Sequence, residues 1–467
     1  MRFLWMAILC TACVLASCDI LTPPAEFGTP PPEQNMFDFI KVGSYRNAES
    51  SVRATNIAID LLDNSRSLLR LSSLEGTNYS NTGSAILNFN TTFTSQSLLG
   101  ITYDANAITT DKNGNYYVTG SKNGDIVVSK YSLVGTLLWE KTNGGPGYDK
   151  GLAIAVDASG NIAVAGCFTG ESKTSTTQDA YLAKYNSDGQ ILWSKTLWSA
   201  DEDNAQSVSF DAKGNIIVAG SFRGSTLTID SVKLRRKGYD IFIASYTPTG
   251  TLRWAKQGIG TMQNSSRFGV EQVLLSVAKT GEIYIGGTFT QQLTLDSITL
   301  RGSTSTFLAR YDEDGRIIWA RNPKSNDKGH STCRAISASP NGVAVAGTFS
   351  GETEFDGFTQ RVQIDYQSSS YIAQYGRDGQ VRWLKRIDNP QKMEDDISVS
   401  QSIDAIAAAD DGTTYLAGSH NTDIVIGGQH LSAGRIISGY TQPGPRTSGG
   451  AYRFRASVMF LAKIGRK

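Results

Sequence analysis

Short apolar runs separated by polar, Gly-containing turns recur along most of this chain, a pattern that suits strands rather than helices. The runs come in pairs: an apolar strand, a turn containing Gly, and a second strand that itself ends in Gly. The pairs occupy residues 107–120, 153–166, 207–220, 274–287, 335–347 and 405–418. In the first three, Asp111, Asp157 and Asp211 stand three places before Gly114, Gly160 and Gly214. Such phrases read as hairpin loops in which Gly takes the left-handed backbone. A calcium loop is the sharper alternative, but the alternate-position acids and closing Glu of an EF-hand are missing.

A third strand follows each pair and ends in Tyr, and a fourth carries Trp. The phrases are Tyr131–Gly135–Trp139, Tyr185–Gly189–Trp193, Tyr246–Gly250–Trp254, Tyr311–Gly315–Trp319 and Tyr375–Gly379–Trp383, with Trp-to-Trp steps of 54, 61, 65 and 64 residues. A period that long, made only of strands and turns, points to radial repetition of a β unit. The rings most simply fill the wedge between neighbouring sheets; stacking on a sugar or quinone is the alternative. First-and-second pairs number six, and so do third strands, the last being 458–464. Trp strands number five. Tyr79 and Gly83 repeat the Tyr-to-Gly step, and residues 84–89 then stand where the missing fourth strand belongs, with Leu87 at the Trp position. The expectation is an all-β, six-bladed β-propeller of four-stranded antiparallel blades over residues 79–467. An N-terminal strand within 79–93 would complete the C-terminal blade and close the ring, leaving no open sheet edge.

Residues 149–166 with 179–193 resemble the bacterial SBBP-type β-propeller repeat. The resemblance covers roughly 79–467 and weakens where Ala278, Ser339 and Ala409 replace the turn Asp and where the last blade lacks its own Trp. It implies a secreted or surface-attached propeller, in a family mostly of unassigned activity, and brings no catalytic residues. A quinoprotein-like propeller, whose repeats also end Gly-x-x-x-Trp, is the alternative. That group includes the lipoprotein scaffold of outer-membrane protein assembly, but has shorter repeats and usually eight blades.

The ends refine this picture. Arg2, an apolar run from Phe3 to Leu15, and Leu15-Ala16-Ser17-Cys18 resemble a lipoprotein signal with its lipobox. Residues 1–17 are therefore read as the signal peptide and Cys18 as the acylated N-terminus; the run is short for a span of ~20 residues. Residues 18–38 hold Pro23, Pro24, Pro30, Pro31 and Pro32 and read as an extended tether. Asp19 resembles an inner-membrane retention signal of enteric bacteria, a rule that varies, so an outer-membrane anchor is favoured with the choice left open. For the extension 39–78, apolar Ala54, Ala58, Leu61 and Leu68 favour a helix over 48–71, although Ile57, Ile59 and Leu61 alternate like a strand. With 44 basic and 43 acidic residues the net charge is +1, which gives no case for nucleic acid. Cys10 and Cys13 leave with the signal, and Cys167 and Cys333 read as two buried free thiols rather than a disulfide.

Functional residues are harder to find. The first-to-second and third-to-fourth turns are tight and fall on one face of a propeller. The second-to-third loops fall on the other and lengthen towards the sixth blade. Function usually sits on loops held by a rigid scaffold. In the sixth blade Tyr440, Arg446, Tyr452, Arg453, Phe454 and Arg455 interleave aromatic and cationic groups that suit carbohydrate or protein contact. Residues 227–234, 293–300 and 424–431, with 354–358 as a looser copy, read as small capping hairpins, a structural elaboration. His330, His420 and His430 lack ligand spacing for zinc, and no Gly-x-Ser-x-Gly or phosphate-loop phrase occurs. Ser187-Asp188-Gly189 lacks the internal spacing of the sialidase Asp-box. The functional expectation is a lipid-anchored envelope protein, periplasmic or surface-exposed. It acts as a non-catalytic binding or scaffold protein for a polysaccharide or envelope protein, with no cofactor or metal. The alternative is a propeller enzyme of glycosidase or quinoprotein-like type.

Overall fold

The structure is a computed structural model. It describes residues 36–42, 67–74, 82–89, 95–101 and 103–465, apart from 146, 170–176, 261–271, 327–328, 363–367, 389–400, 421–422, 427–428, 432–435, 441–450 and 456–457. Every regular element among these residues is a strand. The architecture is all-β and propeller-like, built from antiparallel four-stranded units that follow one another along the chain.

The first unit is Asp104–Thr110, Tyr116–Lys122, Asp125–Tyr131 and Leu137–Asn143, and the second is Lys150–Val156, Ile162–Thr169, Gln178–Tyr185 and Ile191–Leu197. The third is Asp203–Phe210, Ile216–Phe222, Asp240–Tyr246 and Leu252–Gly260. The fourth is Val273–Val277, Ile283–Leu295, Ile298–Tyr311 and Ile317–Arg321. The fifth is His330–Ser339, Gly342–Ser350, Ser369–Gly376 and Val381–Asp388. In the sixth, Gln401–Ala408, Thr414–His420 and Val458–Gly465 are joined on the outside by Met36–Val42, in a register running from Met36 opposite Gly465 to Val42 opposite Met459. Apolar clusters lie between successive units; one joins Ala163, Ala165 and Leu182 of the second unit to Val208, Val218 and Phe222 of the third. Innermost strands are tied by serines: Ser207 Oγ accepts from Leu275 N (3.1 Å), Ser276 Oγ from Ala338 N (2.9 Å) and Ser337 Oγ from Ala408 N (2.9 Å).

The N-terminal pairing differs from the expectation. Residues 84–89 are not the outer strand of the last unit. They lie in Thr82–Phe89, which pairs on one side with Ser67–Leu74 and on the other with Ser95–Ile101, so both of its edges are satisfied within a separate three-stranded sheet. The edge of Val458–Gly465 is taken instead by Met36-Phe-Asp-Phe-Ile-Lys-Val42, in which Phe37, Phe39, Ile40 and Val42 are residues that favour strands. The end of the stretch favoured as helix, residues 67–71, is strand. Residues 1–35, with Cys18, and 43–66 lie outside the described residues.

The Tyr–Gly–Trp phrase is a latch from one unit to the next. Trp139 donates Nε1–H to Ser187 O (3.1 Å), Trp193 to Pro248 O (3.1 Å), Trp254 to Glu313 O (3.0 Å) and Trp319 to Arg377 O (2.9 Å). Each acceptor lies two residues before the Gly of the following phrase, and each ring rests on that Gly. A Cβ built on Gly189, Gly250, Gly315 or Gly379 would stand 3.0, 3.0, 2.6 or 2.8 Å from the nearest ring atom of Trp139, Trp193, Trp254 or Trp319. These glycines are buried, whereas Gly135, which no earlier phrase covers, is half-buried. The turn Asp residues are equally local in purpose. Asp111 Oδ1 accepts from Asn113 N and Asn115 N (2.9 and 3.0 Å) while Oδ2 takes Asn115 Nδ2 (2.9 Å), and Asp157 and Asp211 repeat the arrangement. Both oxygens are thereby spent on the turn.

Candidate functional site: the long-loop face

Strand direction puts the ends of second strands, the starts of third strands and the crossings between units on one face. Buried carboxylates pin the loops there. Asp149 accepts from Gly145 N and Thr169 N (both 2.6 Å), fastening the crossing into the second unit to the end of that unit's second strand. Asp203 accepts from Arg223 N (3.1 Å), and Asp240 from Lys237 N (2.8 Å) and Gln257 Nε2 (2.6 Å). Asp203 and Asp240 both stand opposite Phe222 in the ladder, so the three side chains share one face of the sheet.

One oxygen each of Asp179, Asp203 and Asp240 is buried without a hydrogen-bond partner. Burial pushes the Asp203 carboxyl up to about 7, with the charge of Asp179 adding to the rise and donors from Ser199 and Arg223 opposing it. Burial likewise raises Asp179 and Asp240. Asp404 is pushed up to about 6 by burial, against the pull of Ser402 and Arg334. Asp203 can hold a proton near neutrality, yet it and Asp240 are engaged by Arg223 N and Lys237 N and serve as anchors. Among the described residues no three His, Cys, Asp or Glu side chains come together as a metal site.

The residues singled out in the sixth unit fall on a second-to-third excursion. Ile436–Tyr440 and Ala451–Arg455 form a two-stranded hairpin in which Tyr440 stands opposite Ala451, Gly439 opposite Tyr452, Ser438 opposite Arg453, Ile437 opposite Phe454 and Ile436 opposite Arg455. Five of the six candidates therefore share one hairpin, and Arg446 lies outside the described residues. The capping hairpins form as well: Thr226–Ile229 with Val232–Arg235, the tips of Ile283–Leu295 and Ile298–Tyr311, Glu352–Phe355 with Phe358–Arg361, and Ile424–Ile426 with Gln429–Leu431. Two features escape sequence reasoning. The inter-unit latch needs a pairing between phrases about sixty residues apart. The buried acids look like ordinary polar residues until the ladder aligns them; the only sequence signal is an Asp at the start of successive strands.

A family profile described as "Domain of unknown function (DUF5122) beta-propeller" matches residues 158–191. Among curated proteins, "Regulatory protein FlaEY" of Caulobacter vibrioides is 26% identical over 160 residues, covering 30% of this chain and 16% of that protein. An "Uncharacterized WD repeat-containing protein L264" of Acanthamoeba polyphaga mimivirus is 27% identical over 164 residues, covering 29% of this chain and 12% of that protein. The chain thus spans less than a fifth of the length of either relative. Among solved structures, Sqt1 from Chaetomium thermophilum aligns at 12% identity with a TM-score of 0.45, over 91% of this chain and 99% of that one.

Proposed function

We propose that the protein is a non-catalytic binding or scaffold protein, held in a bacterial envelope by a lipid on Cys18, that meets its partner through the long-loop face. The outer membrane is the favoured site of attachment, and the partner is a polysaccharide or another envelope protein. One observation carries the reading: the two faces are built differently. Tight turns on one face are consumed by latches and Asp caps, while the longer loops of the other are anchored at their roots by Asp149, Asp203 and Asp240. In the sixth unit the excursion carries Tyr440, Arg446, Tyr452, Arg453, Phe454 and Arg455, groups that dominate interfaces when buried against a partner.

The proposal includes a ring of six four-stranded blades, the last completed by Met36–Val42. The three-stranded sheet would stand between the last and the first, because Thr82–Phe89 packs against Asp104–Thr110 as second strands pack against the next innermost strand elsewhere. Micrograph averages should then resolve six strong sectors and a weaker one; eight equal sectors would return the quinoprotein-like alternative. Deleting 36–42 should expose the edge of 458–465 and lower the melting temperature, and an unchanged one removes the strand exchange. Cys18→Ser should release the protein from the membrane pellet, and mass spectrometry should find acyl groups on the native N-terminus. For the site, residues 436–455 are replaced by a short Gly–Ser bridge and envelope partners captured by each form are compared. Retention of the same partners by a folded variant moves the site, and hydrolase turnover overturns the non-enzyme reading.

A further inference from the structure

The capping hairpin of the third unit differs from its counterparts in what it presents to solvent. Thr226–Ile229 and Val232–Arg235 pair directly, and a single bridge adds Trp198 beside Thr228, whose N–H donates to Trp198 O at 2.9 Å. Paired residues lie on the same side of a ladder and alternate along each strand. Leu227, Ile229 and Leu234 thereby face the core and are buried, while Trp198, Thr228, Lys233, Thr226 and Arg235 share the outer surface. Trp198 is 55% exposed, although its backbone is fixed by the bridge. It stands outside the Tyr–Gly–Trp phrases that consume Trp139, Trp193, Trp254 and Trp319.

The same hairpin carries a charge surplus. Lys233, Arg235, Arg236 and Lys237 are all exposed, and among the described residues none of them has a carboxylate in ion-pair range. Two acids beside the hairpin are already engaged: Asp230 pairs with Lys195 (3.1 Å) and Glu202 with Arg223 (2.9 Å). This stands out in a chain whose charges otherwise balance to +1.

The hairpins of the next two units serve as internal comparisons. The row Trp198–Thr228–Lys233 becomes Ile259–Thr294–Thr299 in the fourth unit, where the two threonine hydroxyls bond each other at 3.1 Å. In the fifth it becomes Lys324–Glu354–Thr359. The row Thr226–Arg235 becomes Gln292–Arg301 and then Glu352–Arg361, where the arginine is neutralised at 2.8 Å. Only the third unit joins an exposed indole to unpaired cations among these three.

We infer that the outer face of the Thr226–Arg235 hairpin, with Trp198 at its flank, binds an acidic polysaccharide. The indole offers a flat apolar surface to the C–H face of a pyranose ring, and the threonine hydroxyls meet sugar hydroxyls. Lys233 and Arg235 receive the carboxylates of neighbouring sugars. Strands about 5 Å apart put Trp198 and Lys233 about 10 Å from one another, so ring and charge contacts fall on different residues of one chain. Because the platform is fixed by backbone pairing, little ordering is needed on binding. The inference rests on the binding-protein reading of the long-loop face but uses a different part of that face from the sixth-unit hairpin.

The test is titration of the full chain with oligogalacturonate by calorimetry, in parallel with neutral dextran and polyglutamate. Trp198→Ala and the pair Lys233→Ala/Arg235→Ala are each expected to weaken oligogalacturonate binding roughly tenfold without changing the melting temperature. Arg301→Ala on the fourth-unit hairpin should leave it unchanged. Binding should fall as salt rises and be absent for dextran. Failure to bind oligogalacturonate overturns the proposal. So does polyglutamate binding of equal strength that ignores Trp198→Ala, which would leave a general anion or acidic-protein patch. The chain bridged across 436–455 keeps this platform, so loss of its envelope partners with retained oligogalacturonate binding separates the two sites.

Discussion

Replacing Gly315 with alanine adds a single methyl group, and the latch predicts what that group costs. Gly315 has φ of +74°, and its added Cβ would stand 2.6 Å from Trp254 Cδ2 and 2.9 Å from Cε2 and Cε3. Left-handed backbone alone costs an L-residue about 1–2 kcal/mol. The indole must also move, which breaks the bond from Trp254 Nε1 to Glu313 O (3.0 Å), a loss of about 0.5–1.5 kcal/mol. The sum is about 1.5–3.5 kcal/mol. Gly281 is the internal control. It closes the same kind of turn (Gly281 N to Ala278 O at 2.9 Å, against Gly315 N to Asp312 O at 3.1 Å) with φ of +94°, and a Cβ there meets nothing within 4 Å. Gly281→Ala should show the backbone cost alone. Urea unfolding of both variants measures the difference, and Gly315→Ala in a Trp254→Ala background completes a double-mutant cycle. In that background the penalty should shrink to that of Gly281→Ala. Equal penalties for the two glycines, or additivity within about 0.5 kcal/mol, would refute the latch.

Other outcomes follow from single groups. Asp203 is fully buried and its carboxyl is pushed from 3.8 up to about 7, so the folded state holds this proton more tightly than the unfolded one. Its contribution to stability is complete below about pH 4 and is lost as pH rises through about 7, a loss of up to ~4 kcal/mol. Asp203→Asn should flatten that slope in unfolding measurements between pH 4.5 and 8, and an unchanged slope assigns the titration elsewhere. Ser337→Ala removes the acceptor of Ala408 N and should cost about 1 kcal/mol, read as a shift in urea midpoint with unchanged m-value. Burial pushes the Cys333 thiol up to about 12, so it should resist iodoacetamide at pH 8 until the chain unfolds; rapid labelling of the folded protein would contradict its burial.

What the sequence determined by itself is local. A short apolar run between Gly turns is a property of one strand, and Asp111, Asp157 and Asp211 cap their turns with donors no more than four residues away, so strands and hairpins could be read directly. The Tyr–Gly–Trp phrase also announced a repeat, because the same contact recurs wherever the same residues recur. The tertiary structure decided everything that depends on which edge meets which. Residues 84–89 follow a Tyr-to-Gly step and 36–42 do not, yet a sheet edge accepts any strand through its backbone, so side-chain pattern could not choose the partner of Val458–Gly465. The same limit hid the Trp198–Thr228–Lys233 row: Trp198 lies thirty residues before Thr228, and a ladder register alone makes them neighbours. The raised carboxyl of Asp203 is hidden for the same reason, since its burial against Phe222 and nearness to Asp179 come from strands brought together only on folding.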